Sequence, residues 1–187
     1  MLPGVVGYEP LQQGDLDDLC GLYATINAIC IVMAPNRALS DRDVRKLTRA
    51  GVRYLDNQQM FRKAFNKGMT GKLHRKLAKH MVQEAQSVTG APLSMRRLSL
   101  VRAEADQGQL IQSIEEALQQ GAAVMMGLHN THDHFTVVVG SSTTRLYLAD
   151  SDGLHWLPKR HVGPCGGTRP YRHGVCLKEM LAIGIPR

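Results

Sequence analysis

The sequence predicts an α+β fold in which a helical first half packs on an antiparallel sheet, and three observations carry that expectation. Apolar residues recur at helical spacing through roughly the first ninety positions. From Gly121 onward the apolar runs are short and separated by turn residues. The chain, at 187 residues, has the size of one ordinary domain with a single core. Residues 1–187 are therefore expected to form one domain, 1–90 mainly helical and 91–187 mainly β. With 43% hydrophobic and 21% charged residues and a mean hydropathy of -0.20, the composition excludes disorder over most of the length.

The first helix is expected over about Asp17 to Met33, with Asp17 or Asp18 as N-cap and Pro35 just beyond its end. Leu19, Leu22, Tyr23, Ile26, Ala28, Ile29, Val32 and Met33 leave it almost no polar face, so it should be buried on most sides as the central helix. Ser40 with Asp43 resembles a capping box opening a short polar helix through about Arg49, stopped by Gly51. A further helix is expected from Asn57 to Lys67 before Gly68. Another spans Gly71 to Val88, where Leu73, Leu77, Met81 and Ala85 share one face.

After the break at Gly90 to Pro92, Leu98 to Val101 reads as a strand and Gln107 to Gln120 as a helix ended by Gly121. Ala122 to Leu128, Phe135 to Gly140, Leu146 to Ala149 and His155 to Leu157 then read as strands of an antiparallel sheet. Pro164 to Pro170 reads as a loop, Arg172 to Leu177 as a last strand, and Lys178 to Gly184 as a tail.

The apolar stretch from Leu19 to Ala34 is interrupted by Thr25 and Asn27 and lies close to the aspartates at 15, 17 and 18, which argues against a membrane span. The first ten residues lack the basic start and apolar middle of a secretory signal, so a cytoplasmic chain is expected. Four unevenly spaced cysteines, Cys20, Cys30, Cys165 and Cys176, do not make a disulfide framework and are expected to be reduced thiols. The formal charge of +7 points toward an acidic partner without naming it.

The most informative segment runs from Gln12 through Asp17, Asp18 and Cys20 to Asn27. A cysteine in the first turn of a helix has backbone N–H groups and the positive dipole end beside its sulfur, which favours the nucleophilic thiolate; the nearby aspartates oppose it. A histidine partner is therefore needed. His134 stands immediately before the strand Phe135 to Gly140, and Asp150 at the end of the next one. Two antiparallel neighbours bring the start of one beside the end of the other, so His134 and Asp150 should face each other. With Cys20 against that edge, the three supply a nucleophile, a base and an orienting carboxylate.

These residues resemble the papain-like cysteine peptidases, most closely the bacteriocin-processing peptidase domains of peptide exporters. The likeness rests on a glutamine shortly before Cys20-Gly21 at a buried helix start, on His134-Phe-Thr-Val-Val-Val-Gly140, and on Asp150 one hairpin later. The resemblance implies a papain-like fold and a cysteine-dependent amide or peptide hydrolase working through an acyl-enzyme. Cys20 would be the nucleophile, His134 the base and acid, Asp150 the orienting group and a glutamine the oxyanion-hole donor, with no cofactor. The family places that glutamine six residues before the cysteine, where Gly14 stands; Gln13 and Gln12 lie seven and eight before, and Gln13 is taken as the donor. His132 and Gly21 are expected to contact a peptide or protein substrate. Deamidation and acyl transfer use the same triad.

Two other readings belong to other classes. From Asn57 to Gln83 there are seven Lys or Arg and no Asp or Glu, which suggests a non-catalytic basic module on the same scaffold that docks an acidic partner or nucleic acid. Few aromatics interleave there, Phe61 and Phe65, so stacking on single strands has little support. His129, His132, Asp133 and His134 form a metal-like cluster, the third reading being a zinc hydrolase. Its spacing narrowly misses the His-x-His-x-Asp-His of metallo-β-lactamase-like hydrolases, and His155, His161, His173, Cys165 and Cys176 offer no convincing completing pair.

Overall fold

In the computed structural model, which describes residues 1–14, 17–98, 106–166 and 170–186, one buried helix sets the architecture. That helix, α1 (Cys20–Met33), buries every residue except Tyr23. It is followed by α2 (Asp41–Asn57), α3 (Phe61–Lys67), α4 (Gly71–Thr89), β1 (Ser94–Arg97) and α5 (Gln107–Gln119). The strands β2 (Ala123–Asn130), β3 (His134–Ser141), β4 (Arg145–Leu148), β5 (Trp156–Pro158), β6 (Val162–Pro164), β7 (His173–Val175) and β8 (Leu181–Gly184) complete an α+β domain. Among the described residues no helix is long and apolar enough to cross a membrane.

The sheet runs β1-β8-β2-β3-β4-β5, with β7 also paired to the far end of β2. Both of its faces are covered. Ala123 and Met125 of β2 and Phe135, Val137 and Val139 of β3 face α1, with α2 and α4 outside it. Val124, Met126 and Leu128 of β2 and Val138 of β3 face α5. Period-2 alternation between two buried faces is why these strands read as nearly continuous apolar runs.

Several elements depart from the sequence expectation for identifiable reasons. α1 opens at Cys20, three residues later than Asp17. The Asp17 carboxylate instead accepts the Leu19 N–H at 3.0 Å, and Leu19 takes the N-cap position without a side-chain cap. The Ser40–Asp43 capping box is present, but α2 continues through Gly51 to Asn57. Gly51 is there for close approach, since a methyl group would sit 2.5 Å from Leu22 Cδ1 and 3.1 Å from Met81 Sδ. Asn57 therefore closes α2, and α3 begins only at Phe61. The strand expected at Leu98 to Val101 is found at Ser94–Arg97, and 99–101 lie outside the described residues. Within the expected loop from Pro164 to Pro170, Pro164 ends β6, which pairs parallel to β7, while 167–169 lie outside the described residues. The segment read as a tail supplies β8, inserted between β1 and β2.

One irregularity positions the site. β3 and β4 pair with Val138 opposite Leu148 but Gly140 opposite Tyr147, so β3 carries one extra residue, a bulge. A one-residue register shift exchanges the faces of a strand. Pairing continues past β4, with the Ala149 N–H on Val137 O at 2.9 Å, and brings Asp150 beside Thr136. Asp150 thereby lies on the face of the sheet that also carries His134.

Candidate active site

Cys20, His134 and Asp150 converge from three elements: the first position of α1, the first position of β3 and the turn after β4. The His134 Nε2–Asp150 Oδ2 distance is 2.9 Å, and the remaining Asp150 oxygen accepts the N–H groups of Asp152 at 2.8 Å and Leu154 at 3.2 Å. A carboxylate saturated in this way cannot rotate away from the imidazole. With Nε2 committed to Asp150, Nδ1 is the nitrogen left for the thiol. The Phe135 N–H, adjacent to His134 in the chain, donates to Cys20 Sγ at 3.4 Å. All three side chains are buried.

The electrostatics follow from this packing. Burial by itself lowers the His134 pKa, but the Asp150 carboxylate and the Cys20 sulfur outweigh it and hold the imidazole up at about 10. For Asp150, burial raises the pKa while the His134 hydrogen bond and charge lower it, with a net lowering. The pair is therefore imidazolium and carboxylate at neutral pH. Two groups of the helical half, Cys30 and His74, behave differently. Burial pushes the Cys30 thiol up to about 11, in keeping with a core residue. His74, on α4, is fully buried and uncharged, its pKa pushed down by burial to about 4.

The two glutamines separate cleanly. Gln12 spends its side-chain amide on Pro10 O at 3.0 Å and Asp150 O at 3.1 Å, so it braces the backbone of Asp150. Gln13 pairs its backbone N–H with Ser151 O at 2.9 Å, and its side-chain oxygen is buried without a partner among the described residues. Gln13 thus stands beside the Asp150 turn with its amide uncommitted. Gly21 is buried behind the thiol, where a methyl group would meet His74 and Met69 at 2.9 Å and Phe135 at 3.3 Å. His132, half-buried in the turn leading into His134, stacks on His173 with ring centroids 5.4 Å apart.

Sequence reading missed the residue that brings this glutamine segment into place. Asn27, in the middle of α1 and fully buried, accepts the Tyr8 hydroxyl at 2.7 Å and the Leu11 N–H at 2.9 Å, and donates to Leu11 O at 3.2 Å. It ties the chain preceding the helix along the helix. A polar residue in the most apolar stretch of the sequence was the available signal, because a buried amide must have partners. Asn27→Ala leaves the Leu11 backbone groups without their partner and leaves the Tyr8 hydroxyl only the Cys30 thiol. It should cost about 3 kcal/mol and lower the melting temperature by roughly 10 °C, measured by thermal circular dichroism.

Beside His134 lies a cleft of about 310 Å³ between α3 and the start of α4 on one side and β2, β3 and the Leu177–Glu179 turn on the other. Lys63 and Lys67 line the helical wall; His129, Asp133 and Glu179 line the opposite wall. His129 Nε2 lies 3.1 Å from Glu179, while His134 faces Asp150 and His132 faces His173. The histidines of the metal-like cluster thus point to separate partners. Among the described residues no group of three or more His, Cys, Asp or Glu converges as a metal site. No protein-family model, no curated protein and no solved structure matches this chain.

Proposed function

We propose that this chain is a papain-like, cysteine-dependent amide hydrolase acting on a peptide or protein. The observation that carries the reading is the joint geometry of the triad: a cysteine sulfur at a helix start, hydrogen-bonded by the Phe135 N–H, next to an imidazole fixed by a saturated buried carboxylate. Nucleophile, base and orienter are the parts covalent acyl transfer requires. Each is held by its own structural element, so the constellation is preorganised.

In this reading the imidazolium supplies the positive charge that a thiolate needs beside it. Cys20 Sγ attacks the substrate carbonyl carbon, a C–S bond forms, and the carbonyl electrons move onto oxygen. The Cys20 N–H has no acceptor within the helix, being in its first turn, and serves with the Gln13 side chain as the oxyanion donor pair. His134 gives its proton to the departing amine as the C–N bond breaks. Neutral His134 then takes a proton from water, whose oxygen attacks the thioester, and the free acid and thiol are released. An amine in place of water gives acyl transfer, and a side-chain carboxamide in place of a peptide gives deamidation. His132, at the turn beside His134, borders the path of the bound chain, while Gly21, buried beneath the thiol against His74, Met69 and Phe135, backs the nucleophile and does not meet the substrate.

The test is site-resolved alkylation by iodoacetamide at pH 6, followed by mass spectrometry. Cys20 should react ahead of Cys165, although Cys165 is exposed and Cys20 is buried, and Cys30 should remain unmodified. Reaction at Cys165 with Cys20 left intact would overturn the assignment.

A further inference from the structure

The outer surface of the helical half carries a charge layout that the hydrolase reading leaves unused. α2 and α4 pack side by side on α1, burying Leu47, Ala50 and Leu55 from one and Leu77, Met81 and Ala85 from the other. The opposite stripe of α2 exposes Arg42, Arg45, Lys46, Arg49 and Arg53, at the three- and four-residue spacing that keeps side chains on one helical face. The matching stripe of α4 exposes Lys72, Lys76 and Lys79. The helices run in opposite directions. Arg37, just ahead of α2, donates to Thr89 O at the end of α4 at 3.2 Å, and Tyr54, near the far end of α2, stacks on His80. The two stripes therefore lie alongside each other. α3 adds Arg62, exposed, while its Lys63 and Lys67 belong to the cleft beside His134.

Between positions 42 and 79 the only acids are Asp43, which is buried against Ser40 and Arg37, and Asp56. None of the stripe cations forms an ion pair with a described residue. Surfaces without such a duty intersperse the two signs, because like charges one turn apart repel. The chemistry of the stripe also selects the class of partner. A protein interface needs apolar or aromatic anchors at its centre, and the exposed large apolar residues among those described are Met1, Val6 and Trp156, none of them on these helices. Unpaired bases need exposed rings to stack on, whereas Phe61 and Phe65 pack against the core. A duplex backbone needs neither. It presents one negative charge per ~1.7 Å of axis and is held by cations alone. From Arg42 to Arg53 the stripe runs about 16 Å, roughly half a turn of duplex.

We infer that the α2–α4 face binds the phosphate backbone of duplex nucleic acid without reading its sequence. This is independent of the triad and stands or falls separately. Fluorescence anisotropy of the intact chain with two fluorescein-labelled DNA duplexes of unrelated sequence and about 20 base pairs, in 50 to 200 mM NaCl, tests it. Both duplexes should bind alike and lose affinity roughly 500-fold across that range if about five phosphates are neutralised. Replacing Arg42, Arg45, Lys46, Arg49 and Arg53 together by Gln should weaken binding at least ~10-fold at 50 mM NaCl and flatten the salt slope. Lys72→Gln, Lys76→Gln and Lys79→Gln together should do the same to a lesser degree and decide the matter if the α2 variant does not fold. Arg160→Gln with Lys178→Gln, on the sheet side, should bind as the parent does. No binding at 50 mM NaCl, or stripe variants that bind normally, would overturn the inference. So would a dT20 single strand binding tighter than the duplex, or displacement of the duplex by poly-glutamate or phosphatidylserine vesicles at equal charge concentration.

Discussion

Asp150→Asn is expected to lower turnover of fluorogenic peptide amides by roughly 10³- to 10⁴-fold with the fold intact. The reason is a change of tautomer. Asn keeps the oxygen that accepts the Asp152 and Leu154 N–H groups, so the turn survives, and it presents an NH₂ group to His134 Nε2 where the carboxylate stood at 2.9 Å. Nε2 must then accept, the ring proton moves to Nδ1, and the nitrogen facing the thiol can no longer take its proton. Cys20→Ala should remove turnover and alkylation at that position altogether. Parent and Asp150→Asn are further distinguished by pH. In the parent, the imidazolium persists until about pH 10, because Asp150 and Cys20 hold it there against the effect of burial. His134 should therefore lose its proton only as pH rises through about 10. In Asp150→Asn, that alkaline limb should move to lower pH, since the charge that raised His134 is gone. Cys20 alkylation followed from pH 5 to 10 reads this without any substrate; coincident profiles for parent and Asp150→Asn would count against Asp150 as the orienting group.

What the sequence made legible, and what it did not, divides along physical lines. Elements whose signal is local were readable: the Ser40–Asp43 capping box, α4 with its face of Leu73, Leu77, Met81 and Ala85, and the buried central helix. Glycine was ambiguous, because the same residue that stops a helix also lets two helices touch. Gly90, at the end of α4 with φ 72°, does the first, and Gly51 does the second. β8 was read as a tail because pairing with β1 and β2 from far away in the chain leaves no local mark. At the site, the facing of His134 and Asp150 was expected from hairpin geometry alone. It depends on the β3 bulge, without which the register would turn Asp150 to the other face. Asn27 escaped notice because its partners, Tyr8 and Leu11, lie in a segment with no regular structure to predict.

The second large effect should come from His74, a residue outside the triad, and it concerns acid. His74 is fully buried between the thiol-bearing helix and the sheet: its ring centroid lies 4.1 Å from that of Phe135, and its Cδ2 backs Gly21. The Thr25 hydroxyl is spent as a donor to Gly21 O at 2.8 Å, so at 3.3 Å it can only accept from His74 Nε2. That assigns the proton to Nε2 and leaves Nδ1 an unpartnered acceptor among the described residues. A second proton on Nδ1 would put a charge on a fully buried ring; the Gly21 backbone favours that charge, but burial outweighs it and depresses the pKa from 6.5 to about 4. A folded-state pKa below the unfolded one means stability that is present above pH 6.5 and lost as pH falls toward 4, because the unfolded chain takes up the proton first. The loss should reach about 2 kcal/mol by pH 5 and saturate near 3 kcal/mol below pH 4. His173, lowered by burial and by His132 and Arg172, acts in the same direction. His134 does not: its raised value contributes stability that is complete below 6.5 and is lost as pH rises from there through about 10. Asp150, with a lowered value, loses its contribution only below 3.8. His74 and His173 thus act together in the interval between 4 and 6.5, with Glu115, lowered by Lys159 and Ser141, adding to them below 4.5. His74→Leu, which fills the same apolar space without a titrating group, should flatten the urea-unfolding free energy across that interval, whatever it does to stability at pH 7.5. Parallel pH profiles for parent and variant would show that the acid sensitivity lies elsewhere. Because the protonated ring would press on Gly21 and on Phe135, whose N–H holds Cys20 Sγ, the slowing of Cys20 alkylation should begin before global unfolding as the pH is lowered.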